Sequence, residues 1–81
     1  MEVENKIVKT SKIEVNVGTN VNNVPVRMLW SADDGGVENQ EAAAMLLSFW
    51  DPKEKNTLKV DLWTKDLTIE EMKQFFHQTL V

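Results

Sequence analysis

From Ile7 to Val17 apolar and polar residues alternate, with Ile13, Val15 and Val17 on one side and Lys12, Glu14 and Asn16 on the other. A period of two sends successive side chains to opposite faces, so the segment is expected to be a half-buried strand. Gly18, Asn20, Asn22 and Asn23 follow; residues of these types tolerate positive φ and mark a reversal into a hairpin. Val24, Val26, Met28 and Trp30 then share one face while Arg27 and Ser31 take the other, which predicts a second strand. Pro25 cannot donate to a neighbour, which assigns that strand to an outer edge.

The period changes at Asp33-Asp34-Gly35-Gly36. Glu38 and Glu41 would meet the positive end of a helix dipole, so Val37–Trp50 is expected to be a helix. Its second half, Ala42–Trp50, is apolar apart from Ser48, as in a helix buried on more than one side. Asp51-Pro52 ends it, because a residue before proline avoids helical geometry. Leu58, Val60 and Leu62 alternate with Lys59, Asp61 and Trp63, predicting a third strand over Asn56–Thr64. Thr68-Ile69-Glu70-Glu71 has the spacing of a capping box and opens a second helix with the stripe Ile69, Met72, Phe76 and Leu80.

The order ββαβα predicts one α+β domain over residues 1–81, a three-stranded antiparallel sheet of order 2-1-3 with two helices on one face. The last helix reaches Leu80-Val81 with neither a glycine cap nor a basic final turn. Either it is cut short at residue 81, or its stripe continues into a partner.

Composition narrows the function classes. The 81 residues, 42% of them apolar, suffice for a single core of modest stability, which makes association attractive. The chain has no cysteine, which removes disulfides, thiolate nucleophiles and the usual zinc frameworks. Thirteen acidic against nine basic residues give a net charge of -4, and Lys6, Lys9, Lys12 and Lys53 form no stripe, so nucleic acid is not an expected partner. No apolar run is long enough for membrane insertion, and the opening Met-Glu-Val-Glu-Asn-Lys lacks the features of a secretory signal. A cytoplasmic location is expected, with no cofactor.

Four ordered blocks carry a family resemblance. Residues 30–39 (Trp-Ser-Ala-Asp-Asp-Gly-Gly-Val-Glu-Asn), 46–51 (Leu-Leu-Ser-Phe-Trp-Asp), 58–66 (Leu-Lys-Val-Asp-Leu-Trp-Thr-Lys-Asp) and 75–81 (Phe-Phe-His-Gln-Thr-Leu-Val) resemble the gliding motility-associated GldC family. The likeness runs from about Lys9 to the end of the chain. It implies a small, cytoplasmic, non-enzymatic accessory protein of bacteria that glide over surfaces, with a protein partner in the motility machinery. It also implies a longer last helix.

Three sets of residues could form sites. Asp33, Asp34 and Glu38 cluster near two glycines and could hold a hard cation, although the spacing is not that of an EF-hand and the composition is also that of a turn and a helix cap. This set carries the alternative reading, a ligand- or cation-binding module. His77 is the single histidine, and no Gly-x-Ser-x-Gly elbow accompanies Ser31 or Ser48, so no enzyme is expected. On the sheet face away from the helices, Arg27, Lys59 and Asp61 surround Leu29 and Trp63. With Leu80 of the last helix, these residues form the expected protein-binding or self-association surface, because Trp and Arg dominate interface hot spots. Trp63 also has a second reading, in which it folds over its own edge or packs beneath the last helix.

Overall fold

The computed structural model describes residues 2–80. Its elements are α1 (Glu2–Asn5), β1 (Ile13–Thr19), β2 (Pro25–Ala32), β3 (Val37–Ala42), β4 (Ala44–Asp51), β5 (Asn56–Trp63) and α2 (Ile69–Leu80). Every pairing is antiparallel: β1-β2-β3 form one sheet, and β4-β5 form a second of two strands. This overturns the expected three-stranded sheet of order 2-1-3 carrying two helices on one face.

The largest correction lies at residues 37–50, where two strands replace the expected helix. Asn39 has φ 51°, a left-handed conformation that would interrupt a helix and that a short polar side chain tolerates. The register of β2 against β3 slips next to it, between Trp30 and Ala32, and the Asn39 amide donates to Ser31 Oγ at 2.9 Å. Farther along, Met45, Leu47 and Phe49 lie opposite Leu62, Val60 and Leu58. A short apolar run satisfies strand and helix periods equally. Here it is the cross-strand partners that decide.

The turn signals act at strand ends. Asp33–Gly36 reverses the chain between β2 and β3, with Gly36 at φ 67°. Asp51 closes the β4–β5 hairpin: its Oδ1 accepts the amides of Lys53 and Glu54 at 2.9 and 3.2 Å, and its carbonyl accepts that of Lys55 at 2.8 Å. The expected hairpin between the first two strands forms, with Asn20 Oδ1 accepting from Asn22 and Val24 and with Asn23 at φ 63°. Its first strand starts at Ile13, later than expected. The second strand is central rather than at an edge, and it accommodates Pro25 by using it as its first residue.

A bend at Ala43 separates β3 from β4 and passes the chain from one sheet to the other. Near Ala43 the end of β5 meets the start of β2: Thr64 donates to the Ala43 carbonyl at 2.8 Å, and Lys65 donates to the Pro25 carbonyl at 3.1 Å. Met45 and Leu47 of β4 line one groove with Ile13 and Val15 of β1, so the base of the β4–β5 hairpin lies against the three-stranded sheet.

Candidate functional site

The alternation read from the sequence places Val15 and Val17 opposite Trp30 and Met28, and Met28 opposite Ala42, so one face of the three-stranded sheet is apolar. Met28 is, among the described residues, the one apolar side chain that is fully buried. Around it runs a groove of about 310 Å³, lined among others by Ile13, Val15, Trp30, Met45, Leu47 and Phe75. α2 contributes through Phe75, half-buried and stacked on Phe76 with ring centres 5.9 Å apart. The expected helical stripe is thus rotated. Met72 and Phe75 are the half-buried residues of that stretch, while Ile69 and Leu80 are exposed.

The cap of α2 forms as its spacing requires. Glu71 donates its amide to Thr68 Oγ1 at 3.1 Å, and Glu71 Oε1 accepts the Thr68 amide at 3.0 Å. Hydrogen bonds from the Thr68 backbone and then from its hydroxyl hold the Glu71 carboxyl below its ordinary pKa.

The apolar band does not stop at the groove. Met45, Leu47 and Phe49 on β4, with Leu62, Val60 and Leu58 on β5, share one face of the hairpin. Toward the tip this stripe is uncovered: Phe49 and Leu58 are each 56% exposed and Val60 45%. Sequence reasoning missed this stripe because it assigned the two strands to different layers. The available signal was the matched alternation of residues 45–49 and 58–62 across an Asp-Pro turn.

The expected protein-binding residues divide between the two sheets. Arg27 and Leu29 lie opposite Gly18 and Asn16 on the first, with Glu41 beside Leu29 on β3, and Leu29 is half-buried and also borders the groove. Lys59, Asp61 and Trp63 lie on the hairpin face opposite the apolar stripe, paired with Ser48, Leu46 and Ala44. Trp63 is 47% exposed, and Leu80 projects from the end of α2. They do not share one three-stranded face.

The acidic loop is organised by charge pairing. Lys9 Nζ contacts Asp34 Oδ1 at 2.8 Å, the Ser11 hydroxyl donates to the other carboxylate oxygen, and Asp33 donates its amide to the Lys12 carbonyl. The Lys9 ammonium, then the Ser11 hydroxyl, hold the Asp34 carboxyl below its ordinary pKa. Asp33 and Glu38 border a shallow depression at the turn. Among the described residues no group of three or more His, Asp or Glu side chains is gathered for a metal ion. The Asp34 carboxylate instead tethers the arm that precedes β1. His77 is exposed on α2.

Among the described residues no helix is long and apolar enough to cross a membrane. No curated protein and no solved structure matches the chain. The gliding motility-associated protein GldC-like family matches over residues 25–81, which takes in the strands from β2 onward, α2 and the groove lining except for Ile13 and Val15 of β1. The chain therefore belongs to the GldC-like family of gliding motility-associated proteins.

Proposed function

We propose that this chain is a non-enzymatic, cytoplasmic accessory protein of bacterial gliding motility that acts through protein contacts. The family match over residues 25–81 carries the reading. The amount of apolar side chain left at the surface supports the contact part of it, since exposed apolar patches of this extent characterise interaction sites. Trp63 and Leu29, each next to charged neighbours, are the residues assigned to a partner in the motility machinery.

Complementation tests this. In a gliding bacterium lacking the protein, the unaltered chain is expected to restore colony spreading. Leu29→Ala combined with Trp63→Ala is expected to restore less while keeping the folded circular-dichroism spectrum. Full rescue by the double variant would remove these residues from the function, and normal spreading without the protein would remove the motility role.

A further inference from the structure

We draw no further inference here: the strongest candidate, the apolar groove around Met28 together with the exposed end of the β4–β5 stripe at Phe49, Leu58 and Val60, is an unpartnered face, and nothing in the structure shows what covers it.

Discussion

At the scale of single residues, a few polar side chains with fixed backbone duties shape the chain. Asn39 holds a left-handed conformation inside β3, where a β-branched residue would be strained by about 1–2 kcal/mol. Asn39→Val is therefore expected to lower stability by about that amount, whereas Asn39→Gly should be nearly neutral, as read by urea denaturation. Asp34 has a different duty. Its pKa when folded lies below the ordinary 3.8 because Lys9 and then Ser11 stabilise the carboxylate. The tether is thus present above that value and is lost as pH falls through the folded pKa. The backbone of residues 9–12 is expected to gain mobility on acidification below pH 3.8, read by NMR relaxation, and Asp34→Asn should produce the same release at neutral pH. Because this pair is open to solvent, the global melting temperature should hardly move.

At the scale of elements, local signals were legible wherever one residue type does one job. The alternation of β1, β2 and β5, the turn at residues 20–24 and the capping box at Thr68–Glu71 follow from spacing alone, and each is present. Residues 37–50 were not legible in the same way. Glu38 and Glu41 suit a helix start, and Ala42–Trp50 suits a buried helix, yet partners distant in sequence, Leu58, Val60 and Leu62, select the strand. The same error hid the hairpin stripe, whereas the edge assignment of β2 came from Pro25, whose missing donor a central strand tolerates at its first residue. The Asp51 turn now carries weight that the helical reading gave to a helix stop. Asp51→Ala removes the acceptor of two amides and is expected to cost about 1 kcal/mol, with increased exchange at Lys53 and Glu54. Thr68→Ala should cost a similar ~1 kcal/mol by uncapping α2, but its exchange signature should stay within the first turn of that helix.

At the scale of the whole molecule, burial ranks the cost of truncating apolar side chains. Within one chain Met28 dominates, since it is 1% exposed while Phe49 is 56% exposed. Met28→Ala is then expected to cost about 2–5 kcal/mol and Phe49→Ala much less, because truncation costs scale with the contacts and transfer lost. Urea denaturation of the two variants reads this ranking directly, and a Phe49→Ala cost equal to that of Met28→Ala would show that the hairpin stripe is covered in the folded protein.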